Sequence, residues 1–367
     1  MTPLYLLITI LTGLLLNTAL IPVIIRIAHQ RQWYDGRNHR KIHVEDTPRI
    51  GGVGIYVSFL ASAFVAALVA AGSSGALPAA VGGSATFGEL VVYVLPPLIG
   101  MTLIHALGLI DDFRDLRAVL KLLIQVVAAA VVTIGPFRIE TVTVPYIWYQ
   151  IELGWLSYPL TILWIVAVSN AVNFVDGVDG LAGGISAIAA LFFGLIALLT
   201  GHGVTALVAV GLFGAILGFL IYNAPPARIF MGDSGSYVLG FALSVFPLML
   251  ADESRSSLTL IPAISILAVP FLDMATSIVR RLRRGKHPFS ADREHLHHKL
   301  MDLGFGTWSI LAIAYSAAVI LGTVGLLWYI LPVNLDITVT LIAWLVAGLL
   351  MAILTRARHR HAEIPDK

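Results

Sequence analysis

Five segments of this chain gather acids, glycines and histidines within an otherwise apolar sequence. In HALGLIDDFRDLRAVLK, residues 105–121, the adjacent Asp111 and Asp112 are followed by Asp115. Three carboxylates so close together can hold a hard divalent cation or take up a proton. The plainer alternative is a set of solvated acids favoured by the dipole of the next helix. Lys121 lies one turn inside the apolar run that follows, where it either snorkels to the interface or holds a lipid phosphate. In NAVNFVDGVDGLAGG, residues 170–184, Asn170 and Asn173 stand one helical turn apart, ahead of a tight turn built from Asp176, Gly177, Asp179 and Gly180. Its glycines permit close backbone approach to a ligand, and the turn feeds a helix N-terminus, a natural anion site. A calcium loop of the EF-hand kind would need a longer acidic ladder closing on Glu, which is absent. The bland alternative is a polar interhelical turn.

The remaining candidates follow the same pattern. NAPPARIFMGDSGS, from Asn223 to Ser236, breaks at Pro225 and Pro226 and opens a new apolar run with Asp233, either a helix cap or a single-carboxylate metal ligand. Asp273, in PFLDMATSIVRRLRR, is the one carboxylate placed well inside an apolar run; such an acid is functional or is paired with a polar group on a neighbouring helix. In HPFSADREHLHHKLMDLGFG, the spacing predicts a short helix with His295 and His298 on one face and His297 pointing elsewhere. Three histidines suggest zinc, but the chain has no cysteine and its carboxylates suit magnesium or manganese better. Histidines beside Arg293 suit a phosphate-rich ligand. The first basic segment ends in Thr47-Pro48-Arg49-Ile50-Gly51-Gly52, which reads as an inside anchor or as part of the site. No Walker phosphate loop, GxSxG or HExxH occurs.

What positions these residues is a membrane. The 367 residues are 58% apolar and 12% charged, with a mean hydropathy of +0.90, far from the balance of a soluble domain. Composition also excludes a collagen, a disordered tail and a disulfide-stapled module. Apolar runs predict eleven helices, at about 4–25, 51–72, 89–110, 117–134, 157–173, 181–200, 204–222, 236–250, 258–278, 308–331 and 335–354. The first lacks a basic leader and a cleavage site, so it reads as a retained span. All but Arg138 and Arg255 of the 23 Lys and Arg fall in segments 26–50, 111–121, 223–235, 279–307 and the tail 355–367. Such asymmetry marks these segments, with 174–181 by alternation, as cytoplasmic and puts the N-terminus outside. The expected fold is a single all-α polytopic domain with every chemical motif on its cytoplasmic face. A transporter or divalent-cation channel is the rival of another class, but it would set its ionisable residues near mid-membrane and often repeat its topology.

Taken together and in order, TPRIGG, IDDFRD, NFVDGVDGL, FMGDSGS and DREHLHHKL resemble the polyprenyl-phosphate N-acetylhexosamine-1-phosphate transferases. That family includes the WecA and TagO types and, more distantly, the MraY translocases. The similarity runs from about Arg40 to Phe305, and the form RExLHHKL after PFSAD looks like the WecA/TagO branch. The histidine triplet followed by Phe-Glu of the MraY type is missing, which argues against a muramyl-pentapeptide donor. The resemblance implies transfer of a sugar-1-phosphate, most simply N-acetylglucosamine-1-phosphate, from a UDP-sugar to undecaprenyl or another polyprenyl phosphate, with release of UMP. It implies Mg²⁺ or Mn²⁺, an inner-membrane location, no nucleic-acid partner, and a bundle of ten core spans plus one, and leaves a homodimer open. By the same resemblance Asp233 and Asn173 are metal ligands, Asp111 a base toward the lipid phosphate, and Asp112 a metal or positioning residue. Lys121 would grip the lipid phosphate, Asp176 and Asp179 would shape the nucleotide pocket with Gly177 and Gly180, and Arg293, His295, His297 and His298 would hold the sugar or diphosphate. A bend near Pro270, with the prenyl groove along that helix, is also implied.

Overall fold

A computed structural model describes residues 3–34, 47–72, 87–144, 149–250, 260–285 and 295–361. The first eight helices are α1 (Pro3–Arg31), α2 (Gly51–Gly72), α3 (Phe87–Arg114), α4 (Ala118–Ile134), α5 (Ser157–Val175), α6 (Leu181–Leu199), α7 (Gly203–Asn223) and α8 (Gly232–Met249). They are followed by α9 (Leu260–Ile266), α10 (Ala268–Arg283), α11 (Leu296–Asp302), α12 (Thr307–Leu327) and α13 (Val333–His361). Within the described residues, each of the eleven apolar runs read from the sequence falls on a helix, the ninth on a broken pair. Among the described residues, eight helices are long and apolar enough to cross a membrane. The other three runs fall on α4, which is 17 residues long, on α8, whose first turn is polar, and on the broken pair α9–α10. At 1.5 Å per residue α4 is about 26 Å long, a little short of the roughly 30 Å hydrocarbon layer. The chain is an all-α polytopic membrane protein.

The break in the ninth run has a local cause. Pro270 has no N–H and its ring collides with the carbonyl four residues back, so the helix stops at Ile266 and resumes at Ala268 with an 81° bend. The sequence places the bend near Pro270; it lies at Leu267, the turn before. A short antiparallel hairpin, β1 (Thr141–Val144) and β2 (Tyr149–Glu152), pairs Thr141 with Glu152 between α4 and α5, and no apolar run announces it. Helix α13 continues to His361, beyond the expected end of the last span at 354.

Helix α8 is the axis of the bundle. It is buried nearly all round, as expected of a helix apolar on every face once its first turn is past. Its neighbours come close because they carry small residues at the crossings, the device by which membrane helices gain packing where no hydrophobic drive separates them from lipid. A methyl group on Gly108 of α3 would lie 2.4 Å from the Ser234 Cα, and one on Gly52 of α2 would lie 2.2 Å from the Gly235 nitrogen. Both crossings sit at the first turn of α8. The C-terminal end of α3 and the N-terminal ends of α2 and α8 therefore meet at one end of the bundle, and alternation brings the end of α5 and the start of α4 there as well.

Candidate active site

The site is built on the first turn of α8. Gly232 has φ +72, a left-handed backbone that suits glycine, and no side chain of its own caps the helix. The cap comes from another helix: Asp112, at the end of α3, accepts the Asp233 N–H at 2.7 Å and the Ser234 N–H at 3.1 Å. Its side chain is fully buried. Of the two roles left for Asp112, positioning is the one this geometry displays. Asp111, the residue before, accepts the Leu116 N–H at 2.7 Å, closing the turn into α4, and pairs with Lys121.

Asp233 is the hub. Its Oδ1 accepts hydrogen bonds from Asn173 Nδ2 at 3.1 Å and Arg49 Nη2 at 3.2 Å, and its Oδ2 faces Lys121 Nζ at 3.5 Å. Lys121 thus bridges Asp111 and Asp233. Asn173 is itself fixed by Ser236 Oγ at 2.9 Å, three residues beyond Asp233 on the same helix. Arg49 also lies 3.6 Å from Asp112, so the segment that reads equally as an inside anchor delivers its cation into the acid cluster. It is held there by backbone hydrogen bonds that run from Pro48–Gly52 to Phe230 and Met231. Thr47 is buried beside it.

The glycine-rich turn after α5 follows. Gly180, at φ +79, donates its N–H to Asn223 Oδ1 at 2.9 Å and accepts the Tyr315 hydroxyl at 2.7 Å. Asp179 accepts the Ala227 N–H at 2.9 Å. Asp179 and Gly180 thus tie the turn to the segment leading into α8. Asp176 is half-buried at the end of α5. Burial, and then the Asp233 carboxylate, push its carboxyl up to about 7 against the pull of Arg49. Asp115 stands apart: it is exposed, in the left-handed turn between α3 and α4.

The histidines depart from the sequence reading. His295 precedes α11 with extended backbone instead of lying within it, so the i, i+3 relation to His298 does not form. Instead the His295 and His297 rings are parallel, 5.8 Å apart and 4° inclined, and His298 lies 4.3 Å from His297. His295 and His297 are buried and His298 is half-buried. Burial, and then His298, depress the His297 imidazole to about 4, against the pull of Asp273. A methyl group on Gly177 would lie 2.4 Å from His297 Nε2, so the ring rests on the turn's backbone. Asp273 accepts from His295 Nδ1 at 2.8 Å and from the Leu296 N–H at 2.7 Å, the polar pairing that the sequence leaves as one of its two roles. Arg293 lies outside the described residues.

Among the described residues, no group of three acids or histidines closes on one point with metal-binding geometry. Two carboxylates, Asp111 and Asp233, do converge on a single cation, the Lys121 ammonium. Gln125, Asn223 and Tyr315, polar residues just behind this cluster, are not singled out by the sequence. Gln125 and Asn170 bond each other at 2.7 Å one turn in from Lys121 and Asn173, and Asn223 and Tyr315 hold Gly180. For Gln125 the signal is polarity recurring at i+4 from the already suspected Lys121; Asn223 and Tyr315 carry no such local signal.

An apolar cavity of about 550 Å³ runs between α5, α9, α10 and α13, lined on α5 by Leu160, Leu163, Trp164 and Ala167. Asn170 continues that stripe by one turn toward Asn173.

A family model described as glycosyl transferase family 4 matches residues 94–251, the stretch that holds Asp111, Asp112, Lys121, Asn173 and Asp233. A probable undecaprenyl-phosphate N-acetylglucosaminyl 1-phosphate transferase of Bacillus subtilis is 34% identical over 295 residues, covering 80% of this chain and 76% of the relative. A decaprenyl-phosphate N-acetylglucosaminephosphotransferase of Mycobacterium leprae is 33% identical, covering 75% and 72%. A phospho-N-acetylmuramoyl-pentapeptide-transferase of Halalkalibacterium halodurans is 30% identical, covering 91% and 98%.

Proposed function

The chain belongs to glycosyl transferase family 4, whose members here move a sugar-1-phosphate onto a polyprenyl phosphate, and from that membership we propose that its donor is UDP-N-acetylglucosamine and its acceptor undecaprenyl phosphate. The reaction forms a P–O bond between a lipid-phosphate oxygen and the sugar-bearing phosphorus and breaks the bond from that phosphorus to the UMP oxygen. The products are undecaprenyl-diphospho-N-acetylglucosamine and UMP, a first membrane step of envelope polysaccharide synthesis.

The observation that carries this reading is the meeting of Asp111, Lys121, Arg49 and Asp233 at one end of the bundle, with an apolar groove along α5, the helix that also carries Asn173. Both reactants are anionic, so the site must supply cations, and one reactant is a lipid, so the site must open to a groove. Lys121 meets the lipid phosphate, and Asp111, its partner, takes that phosphate's proton. Arg49 faces the donor diphosphate. The prenyl chain follows the groove past Leu163 and Phe271, whose walls hold little that is polar. Lys and Arg gathered on the segments at this end favour a cytoplasmic face of the inner membrane, where a nucleotide sugar is available.

Asp111 and Asp233 form a hard, all-oxygen donor set that already encloses one cation, and with Asn173 they fit Mg²⁺ or Mn²⁺. When bound, such an ion screens the diphosphate and stabilises the charge that develops on the departing UMP. Asp112 holds the first turn of α8 so that Asp233 keeps its place.

The test is UMP release by detergent-purified protein from UDP-N-acetylglucosamine and undecaprenyl phosphate, with Mg²⁺ and then with chelator. Metal-dependent release with a labelled lipid product is the expected result. Release only with another UDP-sugar would correct the donor; UDP-muramoyl-pentapeptide belongs in that panel because of the Halalkalibacterium relative.

A further inference from the structure

Asp273 is the one carboxylate on the broken α9–α10 pair, and it is buried. An acid at that depth is costly unless its oxygens are taken up. Both are, and by adjacent residues of one segment: His295 Nδ1 lies 2.8 Å from Oδ2 and the Leu296 N–H 2.7 Å from Oδ1. Helix α11 has seven residues and no side-chain cap of its own. A helix that short does not hold itself, and its N–H groups need a partner from outside. Asp273 is that partner.

A carboxylate only accepts, so its bond to His295 puts a proton on Nδ1 and fixes the ring's tautomer and orientation. The orientation passes along the segment. The His295 ring lies parallel to His297, and His297 rests on Gly177 and against His298. Two of the three rings are buried, and His298 is the one that reaches the surface. On the helix carrying Asp273, Phe271, Leu272, Met274 and Ala275 line the apolar groove. One rigid element therefore holds the groove wall and the anchor of the histidines.

We propose that Asp273 is a positioning residue of the transfer site: acting through His295, it sets α11 so that His298 meets the donor's diphosphate or sugar. The proposal rests on the function proposed above.

The test uses the full chain in detergent, with UDP-N-acetylglucosamine and undecaprenyl phosphate varied separately. Asp273→Asn keeps an oxygen for the Leu296 N–H but offers His295 an amide N–H, so the His295 proton must move from Nδ1 to Nε2. Imidazole ¹⁵N spectra, assigned with a His295 variant, read that move directly. The KM for the nucleotide sugar should rise about tenfold or more, as when the outer partner of a site histidine is lost. The KM for the lipid should stay within about twofold, and adding Asp273→Asn to His298→Ala should raise the donor KM no further. Equal rises in both KM values, additive effects with His298→Ala, or a His295 proton that stays on Nδ1 would each overturn the proposal.

If Asp273→Asn does not fold, His295→Asn replaces it. Its amide still donates to Asp273 and should recover most of the donor affinity that His295→Ala loses; equal losses would overturn the proposal. Should the wild type release no UMP from any UDP-sugar, the proposed function falls by itself. The imidazole spectrum then still decides whether Asp273 anchors His295.

Discussion

The carboxylate of Asp112 occupies the space into which a side chain at Gly232 would grow. A methyl group there would lie 2.6 Å from Asp112 Oδ2 and 2.4 Å from the Arg49 carbonyl oxygen, on a backbone at φ +72. Glycine is therefore required twice, for its conformation and for the approach of a cap that comes from α3. Gly232→Ala should cost roughly 1–3 kcal/mol for the left-handed backbone alone. The steric conflict adds to that and displaces Asp112. A lowered unfolding temperature in detergent together with loss of UMP release is the expected outcome; wild-type values for both would remove Asp112 as the cap.

Asp233→Asn keeps the shape of the hub and removes its charge. Lys121 and Arg49 then face one acid fewer, and a bound cation loses a ligand. Turnover should fall by about a hundredfold or more, the scale on which one preorganised electrostatic group acts. The unfolding temperature should change little, because Asn173 and Ser236 still frame the site. Near-normal turnover would remove Asp233 from the metal site.

Lys121→Ala should raise the KM for undecaprenyl phosphate more than that for the nucleotide sugar. Lys121 enters from α4, whose flank reaches lipid, while Arg49 enters from the side of α2. The variant also leaves Asp111 and Asp233 facing each other without their shared cation, so a higher Mg²⁺ concentration should restore part of the activity. An equal effect on both substrates would count against the lipid-phosphate role.

These residues are legible in the sequence because the chain around them is apolar. In such a chain a polar residue is costly, and Asp111, Asp112, Asn173 and Asp233 stand out against helices whose positions hydropathy alone gives. The partnerships are not legible in the same way. Asp112 caps a helix 121 residues away, and Asp179 accepts from the backbone of Ala227; neither relation leaves a local periodicity. The histidines illustrate the limit. Helical spacing joins His295 to His298, but the bond from Asp273 holds His295 outside the helix and turns it toward His297. Arg49 reads as an anchor because basic residues near a span usually are one, and only the pairing of its segment with Phe230 brings it to Asp233.

Filling the groove should act on one substrate only. Ala167 and Ala275 both line it, on α5 and α10. Ala167→Phe adds a ring where the prenyl chain is proposed to lie, one turn before Asn170. The KM for undecaprenyl phosphate should rise about tenfold, the scale set by about 1–2 kcal/mol of lost apolar contact. The KM for the nucleotide sugar should not move. A change confined to the nucleotide sugar would place the prenyl chain elsewhere.

The histidine segment should loosen in acid. His297 is held near 4 in the folded protein and takes its ordinary value of about 6.5 once released. Between those values the released segment binds the proton and the packed one does not, so packing weakens as pH falls. The contribution is whole above about 6.5 and is lost progressively toward 4. Hydrogen exchange at the amides of α11 should therefore open between pH 6.5 and 4, after correction for the intrinsic pH dependence of exchange. The amides in the middle of α6, a helix with no ionisable side chain, should not follow. His297→Phe keeps the bulk against Gly177 without the titration and should abolish the pH dependence while α11 stays packed. Persistence of the same dependence in His297→Phe would assign it to another group.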